Sequence, residues 1–148
     1  MSSKLVQTPQ IDERYACFRL AIRESRIHRF GVYAAERIPA HRKVIEYTGE
    51  RISRREAKMR SNSRFTCLFV LDSYWTLDGS VGGSGAEIIN HSCEPNLRSS
   101  IRSGHILYWS TREIERGEEL TVDYCFAGDA VRVKCSCGAQ SCRGKINS

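Results

Sequence analysis

Nine residues, Ile88-Ile89-Asn90-His91-Ser92-Cys93-Glu94-Pro95-Asn96, constrain this chain more than any other stretch. Two β-branched apolar residues run straight into an amide, an imidazole, a hydroxyl and a thiol, and Pro95 closes the run. That order suits an ordered turn anchored by a buried flank: the isoleucines seek cover while the Asn, Ser and Pro residues shape the turn. Taken alone, the run also reads as an ordinary Asn/Ser/Pro turn with one incidental histidine. The second constraint lies in the tail, where Cys135, Cys137 and Cys142 form Cys-x-Cys-x4-Cys with Gly138 and Gly144 among them. Three thiolates leave a tetrahedral zinc one ligand short, and Cys93 is a candidate fourth.

Composition decides how those thiols are read. Seven cysteines in 148 residues would suit a secreted disulfide scaffold, but the first 22 residues are broken by Lys4, Asp12, Glu13, Arg14 and Arg19, with no signal peptide. No apolar run reaches the length of a membrane span, so no membrane partner is expected. The expected setting is intracellular, cytoplasmic in a bacterium or nuclear in a eukaryote, and reducing, so that thiols bind metal. Cys17, Cys67 and Cys125 are left over and are expected to pack as small hydrophobes. The net charge of +6 is uneven: residues 1–64 hold 15 Lys/Arg against 7 Asp/Glu, and residues 65–148 hold 8 against 10. The basic half is a candidate for nucleic-acid or chromatin contact, although no interleaved aromatics mark it as more than a solvated face. The acidic half, with Glu115, Glu118, Glu119, Asp123 and Asp129, can receive a basic peptide.

Local signals are mostly those of short strands. Tyr15 to Ile22, Gly31 to Ala35, Lys43 to Tyr47, Thr66 to Leu71 and Glu119 to Tyr124 read as strands, with Trp75 to Leu77 pairing near Thr66 to Leu71. Leu97 to Arg102 and His105 to Ser110 flank Ser103-Gly104 as a hairpin with a two-residue loop. Ser53-Arg54-Arg55-Glu56 has the pattern of a capping box opening a short, basic, surface helix. Residues 79–85 carry four glycines, a loop in which backbones approach closely. One domain of mainly β structure is expected.

Several of these segments together resemble the SET-domain protein lysine methyltransferases. Asn90-His91-Ser92-Cys93-Glu94-Pro95-Asn96 is similar to the family's Asn-His-Ser-Cys-x-Pro-Asn signature. Val44-Ile45-Glu46-Tyr47-Thr48-Gly49-Glu50 looks like its early strand motif, and Glu118-Glu119-Leu120-Thr121-Val122-Asp123-Tyr124 like its catalytic strand. Cys135-Ser136-Cys137-Gly138 through Cys142-Arg143-Gly144 looks like its zinc-binding post-SET tail. The resemblance implies a SET fold of small curled sheets over residues 15–128 and a zinc-bound tail over 129–148. It also implies a pseudoknot that carries Asn90-His91 to Tyr124. A cysteine-rich pre-SET segment is missing, the pattern of a minimal, bacterial-type member.

By that resemblance the chain transfers a methyl group from S-adenosylmethionine to lysine in a basic tail such as that of a histone. Lysine must react as the neutral amine, and with a pKa near ~10.4 its deprotonation at pH 7 costs roughly 4 to 5 kcal/mol. Burial beside a cationic sulfonium lowers that cost, so the protein chiefly aligns its reactants. Tyr124 is the implied catalytic residue, while Arg29, Phe30, Gly31, Asn90, His91 and Tyr124 are implied to contact the cofactor. Cys93, Cys135, Cys137 and Cys142 are the implied zinc ligands, with Arg132 to Cys142 closing one wall of the channel. Cys67, Phe69 and Val122 line the implied lysine pocket. Two departures stand out. Arg29 replaces the first glycine of the usual Gly-x-Gly, so Arg29 must tolerate that backbone and cofactor affinity is expected to be modest. Cys67 and Val122 stand where aromatic rings are common, which predicts a roomier pocket admitting di- or trimethylation. The alternative is a catalytically weak, zinc-stabilised SET-fold module docking on nucleic acid or chromatin.

Overall fold

The structure is a computed structural model and describes residues 9–61, 67–124, 135 and 137–144. Strand β1 (Leu20–Glu24) pairs antiparallel with β2 (Phe30–Ala34). Next come β3 (Lys43–Tyr47), β4 (Glu50–Ser53), helix α1 (Arg54–Arg60), β5 (Leu68–Val70) and β6 (Trp75–Asp78). Then follow β7 (Asn90–His91), β8 (Leu97–Arg102), β9 (His105–Ser110) and β10 (Thr121–Val122). They form sheets ordered β1-β2, β4-β6-β5 and β3-β9-β8-β10-β7. The core runs between the sheets through Val32, Ile38, Val44, Ile45, Ile89, Leu97, Ile106, Ile114 and Leu120, none more than 1% exposed. Among the described residues no helix is long and apolar enough to cross a membrane.

Local chemistry explains most of these elements. Ser103 and Gly104 both adopt left-handed φ angles, 52° and 79°, which matches a two-residue hairpin turn to the twist of β8 and β9. The Ser53 hydroxyl accepts the Glu56 N–H at 3.1 Å and starts α1. Glu56 does not return the bond; its carboxylate accepts from Arg60 Nε at 3.0 Å. Arg60 also reaches Glu50 (3.1 Å) and Asp78 (2.8 Å), and so straps the helix to β4 and β6.

Two strand expectations need correction. Over 15–22 the chain first makes a 3-10 turn at Glu13–Tyr15, and β1 starts only at Leu20. Asp12 caps the turn, its carboxylate accepting the Arg14 N–H (3.1 Å) and pairing with the Arg14 guanidinium (2.7 Å); the chain then extends at Ala16, which bridges Ile45 of β3, before β1 begins. Over 119–124 β10 holds only Thr121 and Val122, while Glu119 bridges Tyr33 of β2 antiparallel, flanked by bonds from Ala34 N to Glu118 O at 2.9 Å and from Leu120 N to Val32 O at 2.7 Å. The Asn96 side chain takes the place of the next strand residue, accepting from Thr121 N at 2.8 Å and donating to the Glu119 carbonyl at 2.9 Å.

Candidate active site

The crossing of β10 builds the centre. It lies parallel to β7 on one side, with Thr121 opposite Asn90 and Val122 opposite His91, and to β8 on the other, with Val122 opposite Leu97. Tyr124 therefore emerges beside His91. Its N–H donates to His91 Nδ1 at 3.1 Å, the two rings lie 5.4 Å apart, and its hydroxyl donates to the Ile89 carbonyl at 2.6 Å. Burial, with the nearby Cys67 thiol, pushes the Tyr124 phenol above its usual pKa and keeps it neutral.

Asn90 ties this centre to the loop between β1 and β2. Its Nδ2 donates to the carbonyl of Phe30 (2.9 Å) and the carboxylate of Glu119 (2.9 Å), with longer contacts to His28 O (3.3 Å) and Ser25 Oγ (3.2 Å). Ser25 donates to the same Glu119 oxygen at 2.6 Å and accepts from Ile27 N at 3.0 Å. Arg29 does adopt a left-handed backbone, φ 39°, where a glycine would be at ease. Gly31 cannot be replaced as readily: a Cβ there would stand 2.1 Å from the Glu119 carboxylate oxygen. Neither Ser25 nor Glu119 is singled out by the sequence as a site residue. Glu119 lies inside the strand motif, but nothing local marks it as the partner of a loop 94 residues away.

Cys67 and Phe69 meet two tyrosines that sequence reasoning also missed. Phe69 packs on Tyr47 (5.3 Å between ring centres) and Tyr108 (6.3 Å), and Tyr47 on Tyr108 (6.2 Å). The Tyr47 hydroxyl donates to the Cys67 carbonyl. Val122 is buried in the sheet beneath. Burial raises both tyrosine pKa values and pushes the Cys67 thiol up to about 11, so the group is uncharged at neutral pH. Behind it the glycine-rich loop closes round Glu87. Gly85 N donates to the Glu87 carboxylate at 2.9 Å, and a Cβ on Gly83 would stand 2.5 Å from it. Burial raises the Glu87 pKa.

The sulfur atoms of Cys93, Cys135, Cys137 and Cys142 all lie within 4.8 Å of one another. Cys93 Sγ is 3.8 Å from that of Cys135 and 4.0 Å from that of Cys142. A zinc tetrahedron with ~2.3 Å bonds has sulfur–sulfur edges of about 3.8 Å, so the set fits a structural zinc. Burial pushes Cys135 up to about 12. Cys137 is opposed by burial too, but hydrogen bonds from backbone and neighbouring thiols bring it down to about 6. Two polar ties hold the tail to the centre: Arg143 to Asp123 (2.9 Å) and Ser141 to Glu94 (2.6 Å). Cys17, expected inside, is exposed; its N–H donates to Val44 O at 2.8 Å. Cys125 lies outside the described residues. His28, His41 and His105 are exposed, as surface histidines.

Comparison with known proteins agrees with this geometry. Residues 29–125 match the SET domain. The chain is 39% identical over 140 residues to the histone-lysine N-methyltransferase TRX1 of Oryza sativa subsp. japonica, covering 87% of this chain and 14% of that protein. It is 38% identical over 132 residues to the histone-lysine N-methyltransferase trithorax of Drosophila virilis, covering 83% of this chain and 3% of that one. Among solved structures it resembles KRYPTONITE in complex with mCHH DNA, H3(1-15) peptide and SAH. There the TM-score is 0.76 at 28% identity, over 91% of this chain and 31% of that one. The chain thus spans a small part of the relatives it matches. With the early strand, the Asn-His turn and the crossing strand all in their places, the chain belongs to the SET domain family.

Proposed function

We propose that the chain is an S-adenosylmethionine-dependent protein lysine N-methyltransferase acting on histone-type basic tails. The convergence of Tyr124, Asn90 and His91 beside the Tyr47–Phe69–Tyr108 cluster carries this reading. Two part-exposed rings, Phe30 and Tyr124, border the buried Asn90-His91 pair, a combination of apolar faces and polar backbone that suits a ligand with a purine at one end and an amino acid at the other. Arg29, Phe30 and Gly31 would meet it with backbone, and Asn90 and His91 with side chain and backbone. S-adenosylmethionine supplies an electrophilic methyl group on a sulfonium.

The protein's own contribution is a slot walled by neutral side chains. Tyr47, Tyr108, Tyr124 and Cys67 are all neutral at pH 7, and the acids nearest them, Glu87 and Glu119, accept from Gly85 N and from Ser25 and Asn90, so the four side chains themselves add no anion that would favour the ammonium form of an entering lysine. The hydroxyls of Tyr47 and Tyr124 spend their protons on the carbonyls of Cys67 and Ile89. Their oxygen lone pairs are left to orient the amine. Cys67 and Val122 supply no ring, which supports room for di- or trimethylation. Zinc on Cys93, Cys135, Cys137 and Cys142 would pin the post-SET tail, taken as 129–148 after a SET domain at 15–128, against Asp123 and Glu94. The boundary, and part of the Arg132–Cys142 wall, lie outside the described residues. Such a protein would work in a nucleus or, in a bacterium, in the cytoplasm.

Labelled S-adenosylmethionine, histones H3 and H4 and a panel of other basic proteins test the reading, with products read by mass spectrometry from pH 7 to 10. Methyl-lysine that rises with pH and falls at least ~100-fold in Tyr124→Phe is expected. Equal transfer by the variant would remove Tyr124 from its role. A second reading, nucleic-acid contact by the basic half, is favoured by one observation. The Arg51 guanidinium covers Trp75 at 5.7 Å, while Trp75 and Tyr74 stay 40% and 76% exposed, joining charge to stacking surface. Binding of single-stranded DNA that weakens steeply with salt and is lost in Arg51→Ala/Trp75→Ala is expected.

A further inference from the structure

His91 is held at both of its ring nitrogens. Tyr124 N–H donates to Nδ1 at 3.1 Å, and Nε2 lies 3.5 Å from Cys93 Sγ. A ring nitrogen that accepts a hydrogen bond carries no proton, so in neutral imidazole the proton is on Nε2 and points at sulfur. A metal-bound thiolate is an anionic acceptor for it; an unbound thiol is a weak one. The ring has no freedom to avoid the choice. It is 3% exposed, fixed by the pairing of His91 with Val122, and packed against the Tyr124 ring.

The other tautomer is within reach. Asp123 Oδ1 stands 3.6 Å from Nδ1, so a proton moved to Nδ1 would point toward that carboxylate and oppose the Tyr124 N–H. Asp123 is meanwhile tied to Arg143 at 2.9 and 3.3 Å, and Arg143 directly follows Cys142 in the tail. One event, loss of the tail from the cysteine cluster, would weaken the Nε2 partner and release Asp123 together. The two ring arrangements are discrete, and only one of them holds the Tyr124 backbone.

We propose that His91 is a positioning residue that couples a metal ion at the Cys93 cluster to Tyr124, through Nε2–H on the Cys93 thiolate and Nδ1 on the Tyr124 amide. The inference rests on the four cysteines being a metal centre, and not on methyl transfer. Metal occupancy is then felt at the catalytic strand as a change in one backbone hydrogen bond. That role is separate from ordering the tail.

Nuclear magnetic resonance of the full chain with 15N-labelled histidine tests this, before and after chelation, with zinc content measured on the same samples. The zinc-loaded protein is expected to show the Nε2–H tautomer at His91. Chelation is expected to populate Nδ1–H and to speed hydrogen exchange at the Tyr124 amide by about tenfold relative to core amides such as that of Ile106. In His91→Asn, the side-chain oxygen can still accept from Tyr124 but nothing reaches Cys93, so Tyr124 exchange is expected not to respond to metal. Zinc bound with the proton on Nδ1, or a variant that keeps the full metal response, would overturn the coupling alone. A chain that takes up no zinc would overturn the metal centre and the coupling with it. The wild-type tautomer decides the matter even where the variant fails to fold.

Discussion

Replacing Glu119 is the most revealing single change. One of its oxygens accepts both the Ser25 hydroxyl at 2.6 Å and the Asn90 amide at 2.9 Å, joining the β1–β2 loop to β7. In Glu119→Ala the Ser25 proton loses its acceptor. Asn90 keeps the Phe30 carbonyl at 2.9 Å, so its loss is partial. Hydrogen bonds to a charged group are worth roughly 1.5–3 kcal/mol each, and one full and one partial loss give about 2–3 kcal/mol. If the loop is the cofactor's backbone contact, a misplaced loop lowers affinity by the part of that energy that pre-organised it. About 2 kcal/mol corresponds to roughly 30-fold in Kd. Glu119→Gln keeps an oxygen for both donors and is expected within about threefold of wild type. Calorimetric titration with S-adenosylhomocysteine, paired with urea denaturation, reads both quantities. An alanine variant that binds as wild type while losing stability would show that the clamp supports the fold and not the cofactor. An alanine variant unchanged in both would refute the reasoning altogether.

Other changes probe the same region. Gly31→Ala would drive a methyl group into the Glu119 carboxylate, so cofactor affinity is expected to fall about tenfold or more, measured in the same titration. Glu87 is an acid whose folded pKa lies above its ordinary 4.5, because it is buried. The folded state therefore holds its proton more tightly than the unfolded one, and the wild type loses stability as pH rises through the folded pKa. Glu87→Gln is expected to be the more stable protein at pH 8 and to lose that advantage below pH 4.5, as followed by thermal melts across pH. Cys67→Tyr restores a ring beside Phe69 and is expected to shift product toward monomethyl-lysine in mass spectra; an unchanged distribution would mean that Cys67 does not set the room.

The parts of the fold that were legible in the sequence are those written in consecutive residues. The β8–β9 hairpin, β3 and the Ser53 cap each need only a local pattern, and each appears with the expected pairing or bond. The meeting of Asn90-His91 with Tyr124 follows from motif order, since no local signal joins residues 33 positions apart. Ser25, Glu119, Tyr47 and Tyr108 escaped because their roles exist only across the chain. Tyr47 is a strand residue like many others until β9 sets Tyr108 against it. The 3-10 turn at Glu13–Tyr15 escaped for the opposite reason: it is a local cap by one aspartate on its own neighbours, set just ahead of the apolar alternation and overlapping it only at Tyr15.

The placement of β10 carries a consequence for biosynthesis. Its slot lies between β7 and β8, strands made earlier, and its residues are among the last of the domain to leave the ribosome. Until they arrive, the β7 and β8 edges expose unpaired backbone and Asn90, His91 and Tyr124 are not a site. If the chain is the proposed methyltransferase, a nascent chain would be inert toward lysines, and it is also at its most prone to aggregate. Stalled or truncated products ending before Thr121 should be the species that a cell's chaperones meet.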